Sequence, residues 1–582
     1  MYVLARALDC AGAVGRAAAF QLNSARAFWH DALSTATTPA GRARISADIG
    51  ADSEGWALTH RSGIHLVPAR QRTDEGSSGH ANAVSTTVYG SRAAAAGIPR
   101  FEMGEEEMDP RLAKRFCQDE LLMNGNPHLN LARQNSQSIT AYSFVTTYME
   151  HEAVELMNSV ASINFIDVEE YPAMAEIESR CVNMLARLFH APLDNPESEA
   201  CGVSTVGSSE AIILAVLAAK RRWKKKRQAE GKSTENPNIV MSSAVHVCWE
   251  KAARYLEVEE RYWYCRKGVY LAEPQELVDL VDENTVLLVG ILGTTYTGGY
   301  EDIETIHELL VKKNKETGLD VTMHVDAASG GFVTPFVNEK LIWDFRLPLV
   351  TSINASGHKF GLAYAGVGWG LWRDKSYIPD EVIFTVNYLG SPQASYTLNF
   401  SKSGVQVVGQ YYQLLRLGKA GYRAIMTNAT ETADHLADAV RSMGDGKLFT
   451  IISAGQGMSL PLVAWQLAEE KAYDEFAIVA HLRQRGWIVP AYTLPPHTDG
   501  IKVVRVVVRE DFSRSRCDTF IRDLKETIDY LEKAPTEVQK HLSKNPAAFS
   551  ANHPAHRRSQ TTLMHHEKHS LHGRYGKTHA IC

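Results

Sequence analysis

Ser352-Ile353-Asn354-Ala355-Ser356-Gly357-His358-Lys359-Phe360-Gly361 sets one lysine among small residues, a histidine and two glycines. The apolar run Leu347–Val350 precedes it, and Ala363-Tyr364-Ala365-Gly366-Val367-Gly368-Trp369-Gly370 follows. Lysine ordinarily keeps its ammonium in water, so this context points to a desolvated amine. Desolvation lowers an amine's pKa, and a neutral amine is a nucleophile toward carbonyl groups. A buried lysine that only pairs with an acid is the ordinary alternative.

A second stretch lies upstream: Val321-Thr322-Met323-His324-Val325-Asp326-Ala327-Ala328-Ser329-Gly330-Gly331-Phe332. It reads as an apolar strand ending in an aspartate followed by small residues. Open α/β sheets bind ligands beyond the carboxyl ends of their strands, so Asp326 points into such a site. A lysine for an aldehyde and a carboxylate for a pyridine nitrogen are what pyridoxal 5'-phosphate requires.

Working outward, residues 143–430 alternate strand-like and helical pieces and predict a large α/β sheet domain. Its strands are expected at Asn238–Ala244, Val286–Leu292, Val321–Ala327, Leu349–Ile353 and Val367–Trp372, with a helix at Ile303–Lys315. Residues 431–545 predict a smaller α+β C-terminal domain, with strands Leu448–Ser453, Leu460–Leu467 and Ile501–Val508 around helix Tyr473–Arg485. Residues 59–142 read as an N-terminal helical segment, with a helix following the acidic run Glu102–Glu107. Residues 1–58 are rich in Ala and Arg and read as a variable extension: a disordered arm, a misplaced start or an organellar transit peptide. Residues 546–582 form a basic, His-rich tail.

Charged residues make up 22% and the formal net charge is −6, which speaks against nucleic acid or an anionic membrane as partner. No apolar run is long enough for a bilayer. The eight cysteines are scattered without a CxxC pair, which fits reduced thiols in a cytoplasmic enzyme better than disulfides or a zinc site. Lys220-Arg221-Arg222-Trp223-Lys224-Lys225-Lys226-Arg227 reads as the solvated carboxyl end of a helix starting near Ser209, where cations meet the helix dipole.

Val206-Gly207-Ser208-Ser209-Glu210-Ala211 precedes the apolar run Ile212–Ala219. Serines there cap a helix, and the same geometry gathers N–H groups into an anion site. The blocks GSSEA (207–211), HVCWEKAARY (246–255), GTTYTG (293–298), HVDAASGGF (324–332) and SGHKFGLAYAGVGW (356–369) resemble the PLP-dependent decarboxylases of the aspartate aminotransferase-like fold, fold type I. Within them the chain is similar to the glutamate decarboxylase family, from about Ala81 to the carboxyl end, and Gly576–Cys582 resembles fungal members.

The resemblance implies that Lys359 binds the cofactor aldehyde, Asp326 holds the pyridine nitrogen and His246 stacks on the ring. Ser208, Ser209, Ser356 and His358 would hold the phosphate, with Thr295 beside the cofactor. Ser401 would reach the phosphate of a neighbouring subunit, implying a homodimer or higher homo-oligomer. Ser143, Phe144, Asn164 and Asp167 would line the pocket for glutamate's distal carboxylate. Arg505 interrupts an apolar strand and needs an anionic partner, either the substrate's α-carboxylate or a nearby acid. A carboxylate beside Asp167 is favourable only with a proton between them, which predicts tight glutamate binding at mildly acidic pH.

The expected function is decarboxylation of L-glutamate to 4-aminobutanoate and CO2, with no resident metal. Other PLP-dependent decarboxylases or lyases are the alternative, as is a silent PLP-binding scaffold. The scaffold reading comes from Arg133–Tyr142, ten residues that interrupt the family run before Ser143 and would displace the pocket wall. The tail's seven histidines (553, 556, 565, 566, 569, 572 and 579) lack a compelling metal spacing; a solvated tail or a pH-dependent gate are its two readings. Plant relatives carry a calmodulin-binding tail, but no tryptophan follows Trp487 here, which speaks against that partner.

Overall fold

The computed structural model describes residue 103 and residues 107–121, 139–140, 144–386 and 393–544. Residues Met1–Leu122 and Met123–Cys582 form two separate compact units. In the first, helix α1 (Pro110–Leu121) follows the acidic run as expected. The extension 1–58, the tail 546–582 and most of the 133–142 interruption lie outside the described residues. Within the interruption, strand β1 (Ile139–Thr140) pairs in parallel with Trp487–Ile488.

The second unit begins with α2 (His151–Ser159) and α3 (Pro172–Leu188), followed by a seven-stranded sheet. Its strands are β2 (Cys201–Thr205), β3 (Asn238–Ser242), β4 (Glu259–Trp263), β5 (Thr285–Ile291), β6 (Met323–Asp326), β7 (Val350–Ala355) and β8 (Gly368–Trp372). In space the order is β2-β8-β7-β6-β5-β3-β4, all parallel except β8, which opposes both its neighbours. Five of these strands fall where the sequence predicts them; β2 and β4, at the two edges, are additional. Strands of such a sheet are buried on both faces and read as continuous apolar runs. In β3, Ile239 and Met241 join one core and Val240 the opposite one; in β5, Leu288 faces away from Leu287 and Val289. The edge strand β4 (Glu-Glu-Arg-Tyr-Trp) carries charge and gives no such signal.

Helix α4 (Ser208–Ala229) covers one face through Ile212 and Val216. Its basic end forms the solvated helix terminus expected: Lys226 pairs with Asp320 at 3.0 Å and Arg227 donates to the Glu283 carbonyl. Helices α5 (Val247–Tyr255), α6 (Pro274–Asp279) and α7 (Ile303–Thr317) link the following strands. Asp302 caps α7 by accepting from the Thr305 N–H.

A 37-residue helical span, α8 (Val405–Arg441), runs from the large core to a second one. It breaks at Gly418, whose φ of 53° and ψ of −174° suit only glycine. The second core lies under an antiparallel sheet ordered β9-β10-β12-β11, formed by β9 (Phe449–Ile451), β10 (Leu462–Leu467), β11 (Ala491–Thr493) and β12 (Lys502–Val507). Helices α9 (Glu475–Gln484) and α10 (Arg514–Lys533) pack on it through Ile478, Leu482, Phe520 and Leu524.

Candidate active site

A cavity of about 240 Å³ opens where β3, β5, β6 and β7 end. Its lining includes Phe144, Ser208, Ser209, His246, Thr295, Asp326, His358, Lys359 and Arg505. Nine of the expected site residues thus meet in one place, from segments spread over more than half the chain.

Asp326 ends β6 and is held by three donors: Trp249 Nε1 at 2.7 Å, Asn354 Nδ2 at 3.0 Å and the Ala328 N–H at 3.1 Å. Behind it, His324 bridges Ser352 Oγ and Asn354 Oδ1, both at 2.7 Å, and packs edge-on against Trp249. This buried chain fixes the direction of the carboxylate. Lys359 donates to Ser329 Oγ at 3.1 Å, and its Nζ sits 5.5 Å from the Phe144 ring centre. Burial pushes the lysine below its ordinary pKa; Asp326 opposes that shift and Arg505 adds to it.

His246 caps α5, its Nδ1 accepting from the Cys248 N–H, so its proton sits on Nε2. Burial, reinforced by Lys359, lowers its pKa to about 4. His358 donates from Nδ1 to the Val367 carbonyl at 2.8 Å and is likewise lowered by burial to about 4. Gly207 precedes α4, and a Cβ there would lie 3.2 Å from the His358 ring. A Cβ on Gly368 would strike the Gly207 backbone at 2.5 Å. Two backbones therefore close the floor beneath the α4 amino terminus, where Gly207, Ser208 and Ser209 line the cavity.

Arg505 is buried on β12, donates to the Thr295 carbonyl and lies 4.8 Å from the Phe144 ring and 5.2 Å from the Tyr492 ring. Other expected residues stand apart from the cavity lining. Ser356 is buried beside it, its N–H on the Ala328 carbonyl and its hydroxyl without a partner. Asn164 is exposed and bridges to Ser403; Asp167 accepts from the Glu170 N–H; Ser401 is exposed. Ser143 falls outside the described residues. Residue reading missed Trp249, Asn354, Ser329, Cys248 and Val145. The alternation Ser352, Asn354, Ser356 along β7 and just past its end was the available signal for Asn354, since period-two polar residues share a strand face.

The residues present fit pyridoxal phosphate. The unpartnered Ser356 hydroxyl, the floor without Cβ atoms and the helix terminus suit an anionic group, while the opposite wall offers a held carboxylate. A buried amine whose pKa is lowered by burial, that carboxylate and that anion cradle define a lysine-centred enzyme of the pyridoxal type.

The conserved domain of pyridoxal-dependent decarboxylases matches residues 114–468. A glutamate decarboxylase of Petunia hybrida is 48% identical over 466 residues, which is 80% of this chain and 90% of the relative. Glutamate decarboxylase beta of Listeria monocytogenes is 42% identical over 77% of this chain and 93% of its own length. The solved structure of a Lactobacillus brevis glutamate decarboxylase is 40% identical, covers 77% of this chain and 98% of its own, and superposes with a TM-score of 0.71. The chain belongs to the pyridoxal-dependent decarboxylase family, and its cofactor is pyridoxal 5'-phosphate.

Proposed function

We propose that the protein removes the α-carboxyl group of L-glutamate, giving 4-aminobutanoate and CO2 with uptake of one proton. The observation that carries the reading is the convergence of Lys359, Asp326 and Arg505 on one cavity. Relatives 42–49% identical bear the name glutamate decarboxylase, which supports the substrate.

Bound pyridoxal phosphate supplies an aldehyde for covalent attachment and a protonated ring that draws electrons from the Cα–carboxylate bond. Lys359 is suited to attach it because burial favours the neutral amine. Asp326 holds a proton at the pyridine nitrogen, with Trp249 and Asn354 keeping its oxygens aimed. His246, which lines the same cavity, would stack on the ring face. Ser208, Ser209, Ser356 and His358 would hold the phosphate, with Thr295 beside the ring. His358 commits its Nδ1 proton to the Val367 carbonyl, which would leave Nε2 for the phosphate. Arg505 binds the α-carboxylate, whose negative charge offsets the cost of a buried guanidinium. Phe144 forms the wall beside Arg505, and Lys359 returns the proton to Cα.

Ser401 serves the phosphate of a neighbouring subunit in a homodimer or larger homo-oligomer, a role supported by its exposure and by the exposed Leu398 and Phe384 nearby in sequence. The described cysteines Cys117, Cys181, Cys201, Cys248, Cys265 and Cys517 are free thiols, which supports a cytoplasmic setting. Among the described residues no helix is long and apolar enough to cross a membrane.

The test is CO2 release by the purified protein with pyridoxal phosphate and a panel of glutamate, aspartate, cysteine sulfinate and aromatic amino acids. Release from glutamate is expected. Release from another member and none from glutamate overturns the reading.

A further inference from the structure

We propose that Arg509, Glu510 and Asp511 are positioning residues for the substrate wall, gripping residues 145–147 so that Phe144 and Val145 face Arg505 across a fixed gap. The proposal rests on the reading of Phe144 as part of the glutamate pocket.

Three consecutive ionisable side chains each take one polar atom of the same short segment. Arg509 Nη1 donates to the Val145 carbonyl at 3.1 Å. The Thr147 N–H donates to the Glu510 carboxylate. The Thr147 hydroxyl donates to Asp511 Oδ2 at 3.1 Å. Arg509 and Asp511 also pair with each other at 3.1 Å, with both side chains almost wholly buried.

Thr146, between the gripped residues, turns the other way. Its N–H donates to the His358 carbonyl at 2.9 Å and its hydroxyl to the Lys359 carbonyl at 2.6 Å. Alternation of this kind is what an extended chain imposes, successive side chains pointing to opposite sides. Residues 145–147 are therefore bolted on one side to the lysine loop and on the other to the small-sheet domain. Phe144, one residue before, has its ring 5.5 Å from Lys359 Nζ and 4.8 Å from the Arg505 guanidinium.

The grip sits just beyond the end of β12 (Lys502–Val507), the strand that carries Arg505. One rigid strand end thus holds both the anchor for the α-carboxylate and the fastening of the wall. The distance between them is set by four residues of chain rather than by packing between domains. Small errors in that gap are costly, because reacting groups must be held close to their productive geometry.

Thr147→Val removes one hydroxyl, and Thr147→Ser keeps it; both are compared with wild type as holoenzymes. The expected result for Thr147→Val is a KM for glutamate raised about 5- to 20-fold with kcat changed less, since only part of the loss of one hydrogen bond to a charged group reaches the pocket. Cofactor affinity should be unchanged, and Thr147→Ser should restore the wild-type KM. Hydrogen exchange read on the peptide covering 144–149, without substrate, should quicken about tenfold or more in Thr147→Val and not in Thr147→Ser. Unchanged exchange there, or an equal fall in both variants of kcat, cofactor affinity and Tm, overturns the positioning role. A wild-type enzyme that releases no CO2 from glutamate overturns the substrate reading instead, and the exchange measurement still decides the grip.

Discussion

The two ends of the cavity are built differently. The carboxylate end hangs on the sheet: Asp326 closes β6, Asn354 stands on neighbouring β7, Trp249 comes from α5, and buried His324 locks them together. The wall end hangs on a segment without regular structure, residues 144–150, tied to elements hundreds of residues away. Strand termini are held on both sides by neighbouring strands and shift little, which suits bond chemistry. A strapped loop can be altered by changing its straps, which suits choice of substrate.

The contrast can be broken most forcefully at Lys359. Lys359→Ala should lower CO2 release on the order of 10⁴-fold, since attachment and proton return are lost together. Borohydride reduction followed by digestion and mass analysis should label Lys359 in wild type. A label on another residue would sink the assignment. Asp326→Asn comes next, with a loss on the order of 10²- to 10³-fold in kcat and little change in KM. A change confined to KM would place Asp326 on the substrate side.

Trp249→Phe keeps the buried ring and deletes one donor to Asp326. A lost hydrogen bond to a charged group is worth about 1.5–3 kcal/mol, so kcat should fall about 10- to 100-fold. Together with Thr147→Val it sharpens the comparison, because the first should act on kcat and the second on KM. Similar kinetic signatures for both would mean that the two ends are not separate devices.

The smallest effect concerns pH. Burial, then neighbouring Asp511, raises Glu510 from the ordinary 4.5 to about 7. The folded chain then binds this proton more tightly than the unfolded chain. Its contribution to stability is full below 4.5 and is lost as pH rises through 7. Glu510→Gln keeps an acceptor for the Thr147 N–H but carries no charge. It should therefore raise Tm at about pH 8 and leave it nearly unchanged near pH 5, with a gain of roughly 3 kcal/mol at most. A Tm raised equally at both values would show that the carboxyl's charge is not the cause.

Lys359 and Asp326 were legible in the sequence because each breaks an apolar run whose meaning is local. Five large-sheet strands were legible for the same reason. The grip was not: Arg509, Glu510 and Asp511 look like a charged turn, and only the tertiary fold brings Thr147 to them, 364 residues away from Asp511. Trp249 lay inside a recognised block yet had no role until the end of β6 came to rest beside α5. Edge strand β4 escaped because Glu259, Glu260 and Arg261 carry charge, and β2 because Cys201-Gly202-Val203-Ser204-Thr205 is short, small and partly polar.

The bend at Gly418 is held to the lysine loop from both sides. Gln410, before it, and Tyr422, after it, both donate to the Gly361 carbonyl, while Gln413 takes the carbonyl of Leu362, a residue at a φ of 62°. One oxygen two positions past the lysine is thus the shared pivot of both arms of a long rod. Straightening the rod would tear one donor from that pivot, so the angle at a residue with no side chain and the address of the reactive amine are a single mechanical quantity.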